Sequence, residues 1–356
     1  MILVPEHIRS LVPYVPGKPV EELERELGLR NSIKLASNEN PLGPSPRALE
    51  AVRGAMANIH RYPDGSGYYL KRALSGRYGM PPEQIILGNG SNQLLDLIVR
   101  TFFRPGMNAV TSERTFVVYP MSMQAVGGEC RAARMKGEAY DLDAMAGLVD
   151  ERTLCVFIAN PNNPTGTVIH RDRFEAFMDK LPSSVLVVMD EAYFEYAEDP
   201  ESPYGLDYLK AGRDVMVLRT FSKIHGLAGM RIGYGMASPE VIDAMNRVRE
   251  PFNTNSLAQA AALAALGDET HVQESLRINR QGKAFLYAAF DRMGLSYTPT
   301  EANFIWVKTP REAKTIYEAL LREGVIVRVM GERHLRITIG LPEENRRLIR
   351  ALEKIL

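Results

Sequence analysis

The stretch Thr220-Phe221-Ser222-Lys223-Ile224-His225-Gly226-Leu227-Ala228-Gly229-Met230-Arg231 places a lysine eight residues before an arginine. A lysine amine condenses with carbonyl compounds, and the hydroxyls of Thr220 and Ser222 beside the Arg231 guanidinium make a set suited to a phosphate. Together they suit an aldehyde that carries a phosphate. Two further polar clusters follow apolar runs of the kind that form buried strands. Asn160-Pro161-Asn162-Asn163-Pro164-Thr165-Gly166 follows Leu154-Cys155-Val156-Phe157-Ile158, and Asp190-Glu191-Ala192-Tyr193 follows Val185-Leu186-Val187-Val188-Met189. Each cluster therefore falls where a buried strand should end.

A candidate anion site lies upstream. Gly90-Ser91-Asn92 opens a helical stretch directly after a strand, so backbone N–H groups and the positive end of a helix dipole are available to a phosphate. Gly88-x-Gly90 could also begin a dinucleotide fingerprint, but Gln93 occupies the third glycine position and no acidic residue sits in a ribose-binding context. A phosphate cup is favoured over a nicotinamide site. His7, His60, His170, His225, His271 and His334 show no close metal-ligand spacing, and Cys130 and Cys155 are too far apart for a paired ligand motif. No metal is expected.

The elements that must position these residues read as an α/β layer. Apolar strands alternate with helical periodicity from about residue 80 to 240, the pattern of a largely parallel, buried sheet. Strands are expected at Ile85-Leu87, Ala109-Thr111, Leu154-Ile158, Val185-Met189, Val215-Leu218 and Ile232-Met236. A helix should follow Ser91, its expected N-cap, carry Leu94, Leu95, Ile98 and Phe102 on one face, and stop at Pro105-Gly106. Beyond it, strands at Phe304-Val307, Val325-Val329 and Leu335-Ile339 with a helix over Glu312-Glu323 make a smaller α+β unit. Pro5, Pro13, Pro16 and Pro19 give the opening segment the character of an extended arm.

At 356 residues the chain exceeds one ordinary core, which implies two domains or one large domain with an appendage. Lys plus Arg and Asp plus Glu both number 43, so no general attraction to nucleic acid or anionic lipid is expected, and small molecules are the expected partners. Cys155 lies in an apolar run, as a reduced, buried thiol would. No stretch approaches the ~18 apolar residues of a membrane span, and the first residues lack the pattern of a leader. A cytoplasmic protein is the expectation.

In their order along the chain, these motifs resemble the fold-type I pyridoxal-phosphate aminotransferases, and within class II of them the histidinol-phosphate group. The resemblance runs from about Leu35 to the C-terminus. It also rests on Ala36-Ser37-Asn38-Glu39-Asn40-Pro41-Leu42-Gly43, Arg61-Tyr62-Pro63-Asp64, Gly88-Asn89-Gly90-Ser91-Asn92 and His334-Leu335-Arg336-Ile337-Thr338-Ile339-Gly340. It implies an α/β fold: a large domain with a mostly parallel seven-stranded sheet flanked by helices, plus a smaller α+β domain. The expected division is an arm over 1–34 that joins the small domain and a dimer interface, a large domain over 35–255 and a small domain over 256–356.

By the same resemblance the cofactor is pyridoxal 5'-phosphate. Lys223 would be both its attachment point and the general acid/base, and Asp190 would pair with its protonated pyridine nitrogen. Tyr193 and Asn163 would donate to the phenolic oxygen of its ring, and Phe116 would stack on that ring. Gly90, Ser91, Asn92, Thr220, Ser222 and Arg231 would hold its phosphate, with Tyr62 reaching that phosphate from the neighbouring subunit of a homodimer. Read without the resemblance, Asp190 is a strand-end cap, although a carboxylate after five apolar residues would need a partner, Asn163 is a turn former before Pro164, Tyr193 and Phe116 are core aromatics, and Tyr62 is a loop residue.

The substrate set follows in the same way. Arg336 matches the arginine that pairs with an amino-acid carboxylate, Arg328 a second arginine of the histidinol-phosphate group, and Asn38 and Tyr14 complete the expected substrate contacts, Tyr14 through the partner subunit. The implied reaction is L-histidinol phosphate plus 2-oxoglutarate to imidazole-acetol phosphate plus L-glutamate, a step of histidine biosynthesis. Aromatic amino-acid aminotransferases and threonine-phosphate decarboxylase share the same machinery and stand as alternatives. A cofactor-binding regulator would need a basic DNA-binding extension, which the sequence lacks.

Overall fold

The structure is a computed structural model that describes residues 3–356. Seven strands form the main sheet: β1 (Ile85–Gly88), β2 (Asn108–Ser112), β3 (Glu129–Ala133), β4 (Thr153–Ala159), β5 (Leu186–Asp190), β6 (Val215–Thr220) and β7 (Gly233–Met236). Their spatial order is β1-β7-β6-β5-β4-β2-β3. β7 runs antiparallel to both neighbours, whereas β6-β5-β4-β2-β3 are parallel throughout. Every residue of β1, β2, β4, β6 and β7 is buried, as expected of strands covered on both faces. The edge strand β3, more exposed and holding Cys130 and Arg131, escapes the apolar-run criterion and was not expected.

The helix after β1 spans Ser91–Phe102 and buries Leu94, Leu95, Leu97, Ile98 and Val99. Its N-cap is Gly90, not Ser91, which is the first helical residue and makes no cap bond. The chain must turn at Gly90 with φ 71°, a conformation open to glycine, so the cap position falls there. On one face of the sheet Ser256–Leu266 buries Ala258, Ala261 and Ala262 in the large core and packs against Pro46–Ala55.

A second core lies over a four-stranded antiparallel sheet ordered Tyr297–Thr298, Phe304–Lys308, His334–Thr338, Arg328–Met330. The single strand expected over Val325-Val329 is divided. Val325–Ile326 pairs in parallel with Ile33–Lys34, and after Val327 the chain changes partner, so Arg328–Met330 pairs with the strand at His334–Thr338. Leu35 belongs to this second core, which ties the end of the N-terminal segment to it.

That segment is not extended throughout: Glu6–Arg9 and Val20–Leu27 are helical. Pro5 and Pro19 sit at the N-caps, where a missing N–H breaks no helical bond, so these prolines start helices rather than prevent them. Met1 and Ile2 of the expected arm lie outside the described residues. No helix among the described residues is long and apolar enough to cross a membrane.

Candidate active site

The carboxyl ends of the parallel strands β4, β5 and β6 deliver Asn163, Asp190 and Thr220 to one cleft of about 240 Å³. A crevice there is where an open α/β sheet takes its ligand. Lys223 follows β6 by three residues and enters from the same edge, while Arg336 comes from the small sheet and closes the opposite side. Of the expected residues, Tyr14, Asn38, Ser91, Asn92, Phe116, Asn163, Asp190, Tyr193, Thr220, Ser222, Lys223, Arg231 and Arg336 all line this cleft.

Lys223 Nζ donates to the carbonyl of Ser37 at 3.2 Å and lies 5.6 Å from the centre of the Tyr193 ring. Burial, reinforced by the Arg336 guanidinium, pulls its amine down to about 8. An amine near 8 supplies a neutral fraction at ordinary pH, which both nucleophilic attack and proton acceptance require. Asp190 moves the opposite way, pushed up to about 6 by burial. Its Oδ2 accepts from the Tyr119 hydroxyl at 2.9 Å and its Oδ1 from the Ala192 N–H at 3.2 Å. Both donors are neutral, so the carboxylate is oriented but not balanced by a bonded cation.

Tyr119 was missed by sequence reasoning. It stacks on Phe157 with ring centres 5.0 Å apart and meets Phe116 edge-on at 5.6 Å, so its ring supports one expected site residue while its hydroxyl orients another, Asp190. Its only sequence signal is its place one helical turn after Phe116. Ser37, Glu39, Ala159, Ala192 and Ala228 also line the cleft without having been expected. The alanines carry no chemical signal, and Ser37 contributes its backbone.

At the anion end, Arg231 Nη1 donates to the Ala228 carbonyl at 3.0 Å and reaches Ser222 Oγ at 3.5 Å. Arg231 has φ 58°, so its backbone is held left-handed where a non-glycine residue is strained. A Cβ on Gly90 would stand 2.4 Å from Arg231 Nη2. The missing side chain thus lets the guanidinium lie across the opening of the helix at Ser91. Thr220 Oγ1 accepts from the Ser222 N–H at 3.1 Å, which folds the two hydroxyl residues toward each other.

Arg336 is anchored from two directions, donating Nη1 to Asn163 Oδ1 and Nη2 to the Ala36 carbonyl, each at 2.7 Å. Its buried Nε has no hydrogen-bond partner among the described residues. Asn163 accepts from Arg336 through Oδ1, which leaves its Nδ2 amide as the donor that the expected role requires. Asn38, at φ 55°, donates Nδ2 to the Tyr193 hydroxyl at 2.8 Å and is itself held by Thr338 and Asn303. Tyr14 reaches the cleft of its own chain, and the Arg328 guanidinium sits 5.5 Å from the centre of its ring. Arg328 is thus behind Tyr14 and does not line the cleft. Tyr62 is 83% exposed, stacked on Phe252 at 4.7 Å, and lines a separate surface depression. His225 is buried, its imidazole depressed to about 3 by that burial, and does not line the cleft.

Among the described residues no cluster of His, Cys, Asp or Glu is arranged to hold a metal. The cleft instead offers an amine with a depressed pKa, a buried carboxylate whose bonded donors are neutral, and a hydroxyl–guanidinium cradle at a helix N-terminus. These are the three anchors that an aldehyde with a cationic ring and a phosphate requires.

The chain belongs to the aminotransferase class I and II family, whose model matches residues 30–352. It is 53% identical to histidinol-phosphate aminotransferase 2 of Pseudomonas aeruginosa over 355 residues, covering 98% of this chain and 96% of that protein. Histidinol-phosphate aminotransferase of Moorella thermoacetica is 49% identical, with 99% and 92% covered. The crystal structure of histidinol-phosphate aminotransferase from Sinorhizobium meliloti in complex with pyridoxal-5'-phosphate superimposes with a TM-score of 0.90, at 30% identity, over 98% of this chain and 96% of that chain. The fold is that of fold-type I aminotransferases, with the expected seven-stranded, mostly parallel sheet.

Proposed function

We propose that this chain transfers the amino group between L-histidinol phosphate and 2-oxoglutarate, giving imidazole-acetol phosphate and L-glutamate, with pyridoxal 5'-phosphate as cofactor. The observation that carries the chemistry is the placing of Lys223 and Asp190 in one cleft with opposite pKa displacements. The choice of amine rests on full-length identity to relatives that bear this activity in their names.

When bound, the cofactor supplies a carbonyl for the substrate amine and a conjugated ring that takes up the electron pair left as the substrate carbon loses its proton. Lys223 would hold it and, once freed by the incoming amine, accept that proton at Nζ and return it to the neighbouring carbon. Asp190, fixed by Tyr119 and Ala192, would stabilise a proton on the ring nitrogen, a charge that its own bonded partners do not provide. Tyr193, held by Asn38, and Asn163 would donate to the phenolic oxygen, with Asn38 at the substrate side. Gly90, Ser91, Asn92, Thr220, Ser222 and Arg231 would hold the phosphate.

Arg336 would orient the carboxylate of glutamate or 2-oxoglutarate, since two anchors fix its plane and Nε retains a free donor. Tyr14, backed by Arg328, would serve the phosphate of histidinol phosphate at the mouth of the cleft. The exposed Tyr62 would complete the phosphate site of a second copy in a homodimer. The working partners are therefore small molecules and a second copy, in the cytoplasm.

The test is to mix the pyridoxal-phosphate form separately with L-histidinol phosphate and L-phenylalanine, and to follow loss of the cofactor absorbance and its recovery on adding 2-oxoglutarate. Strong preference for histidinol phosphate is expected. Preference for phenylalanine would move the chain to aromatic transamination, and carbon dioxide release without need of 2-oxoglutarate would make it a decarboxylase.

A further inference from the structure

Behind two of the cleft residues lies a charged pair that does not line the cleft. Asp190 and Glu191 are consecutive at the end of β5, and Arg219 and Thr220 are consecutive at the end of β6. Successive side chains of an extended chain point to opposite faces. Accordingly Asp190 and Thr220 line the cleft, whereas Glu191 and Arg219 do not.

Both members of the pair are only 1% exposed. Glu191 Oε2 accepts from Arg219 Nε at 2.8 Å and Nη2 at 2.6 Å, and its Oε1 accepts from the Gly205 N–H at 2.8 Å. The guanidinium carbon lies 3.9 Å from the centre of the Phe194 ring, 4.9 Å from Tyr78 and 5.1 Å from Tyr204. Tyr78 in turn shares a 2.7 Å hydroxyl contact with Tyr234 of β7. A Cβ on Gly205 would stand 2.7 Å from Glu191 Oε1, so even the backbone on this side is fitted to the carboxylate.

A buried ion pair of this kind is often no more stabilising than packed apolar side chains of the same volume. What a planar fork supplies is a fixed relative placement of the two strands that bear it. The Glu191 N–H also donates to the Leu218 carbonyl at 2.8 Å, extending the β5–β6 ladder to its last residue. Asp190 immediately precedes Glu191 on one strand, and Thr220, Ser222 and Lys223 follow Arg219 by one, three and four residues on the other. No hydrogen bond joins Asp190 to Lys223 among the described residues, so their separation is set by the strands beneath them.

We propose that Glu191 and Arg219 are positioning residues for transamination: from the far side of the sheet their pair pins the carboxyl ends of β5 and β6 together and sets Asp190 against Lys223. The role rests on the reading of Asp190 and Lys223 given above. It assigns work to two side chains that touch neither substrate nor cofactor. A displacement on the order of 1 Å in such a constellation costs about a hundredfold in rate, which sets the scale of the effect.

The test uses the holoenzyme of an E191L/R219M double variant, of R219K, which keeps the charge but loses the fork, and of K223A as a reference. Four quantities are read: the melting temperature, kcat and KM for the amino donor, the pH midpoint of the cofactor absorbance, and hydrogen exchange of amides 186–192 and 215–224. For the double variant and R219K we expect kcat to fall roughly ten- to a hundredfold. KM should change less than about threefold, because the pair touches no substrate. The absorbance midpoint should move and exchange at the two strand ends should rise, with the melting temperature of the double variant close to that of the parent.

A folded double variant with parental kcat and midpoint would overturn the proposal. If that variant does not fold, R219K decides: a parental midpoint with parental kcat overturns it, and a displaced midpoint in a folded protein supports it. K223A separates the two levels of inference. If it retains the parental absorbance titration, the reading of the cleft fails, and the role of the pair fails with it.

Discussion

Lys223 is partly buried and Asp190 buried, each with a charged form that burial disfavours, and each pays for its position with a pH dependence of stability. Lys223 falls from an ordinary 10.5 to about 8, so between those values the unfolded chain binds more protons than the folded one. Stability of the cofactor-free protein therefore rises with pH across that window, and the penalty is fully present below pH 8. Lys223→Met should raise cofactor-free stability at pH 7 by on the order of 1 kcal/mol, discounted for the partial exposure of the amine, and the gain should vanish near pH 10.5. The same variant should lose at least about a thousandfold in transamination. Chemical denaturation at several pH values checks the first statement, and a variant that retained turnover would sink the proton-transfer role.

Asp190 gives the complementary case. It rises from 3.8 to about 6, so the folded chain binds more protons between those values and stability falls as pH rises through them. Asp190→Asn should stabilise the cofactor-free protein at pH 7.5, with the difference disappearing toward pH 4, yet weaken cofactor retention by about tenfold or more through loss of a charge-assisted bond. Melting curves with and without cofactor read both signs. Gain without cofactor and loss with it is a pattern that a merely structural carboxylate would not produce. The aspartate was legible in the sequence because a carboxylate after five apolar residues needs a partner. Tyr119, which orients it, was not, since a tyrosine on a half-buried helix looks like any core aromatic.

At the scale of elements, the strands that carry the site were readable because each is an unbroken apolar run ended by a polar cluster. β3 was not, since an edge strand buries too little to need such a run. The division of Val325-Val329 between two sheets depends on Ile33–Lys34, some 290 residues away, and nothing local encodes it. Turns were legible only as glycines, without the reason for them. Gly226 (φ 66°) has the Gly43 carbonyl 2.1 Å from where its Cβ would be, which seats the loop after Lys223 against the segment that carries Asn38. Gly90 is different, because the atom in the way is the end of the flexible Arg231 side chain. Gly90→Ala should therefore fold at a cost of about 1 kcal/mol for the positive φ. Its main effect should be to push the guanidinium off the helix opening and weaken phosphate-dependent cofactor binding about tenfold or more. Titration of the cofactor-free variant with pyridoxal phosphate and with pyridoxal tests this. The loss must appear for the first and be small for the second.

At the scale of the whole molecule, the two cores meet through the residues of the cleft. Arg336 on the small sheet grips Asn163 beyond β4, and Thr338 holds Asn38 against Tyr193, so the site exists only where both parts are in register. Tyr62 has no share in this arrangement within its own chain, although it stacks on Phe252 as an ordered pair with both rings exposed. If each cleft borrows Tyr62 from a second copy, a two-fold dimer makes a specific arithmetic prediction. Tyr62→Ala should lower activity about tenfold or more, through loss of a hydrogen bond to a charged group. Lys223→Ala should abolish activity, and both variants should remain dimers by sedimentation. On dissociating and reassembling the two in equal amounts, half the dimers are mixed. Each mixed dimer holds one cleft with Lys223 in one chain and Tyr62 in the other. Activity should then recover to about a quarter of the parental value, above that of either variant alone. Recovery absent from verified mixed dimers, or full activity in a monomer, would return Tyr62 to the status of a surface tyrosine.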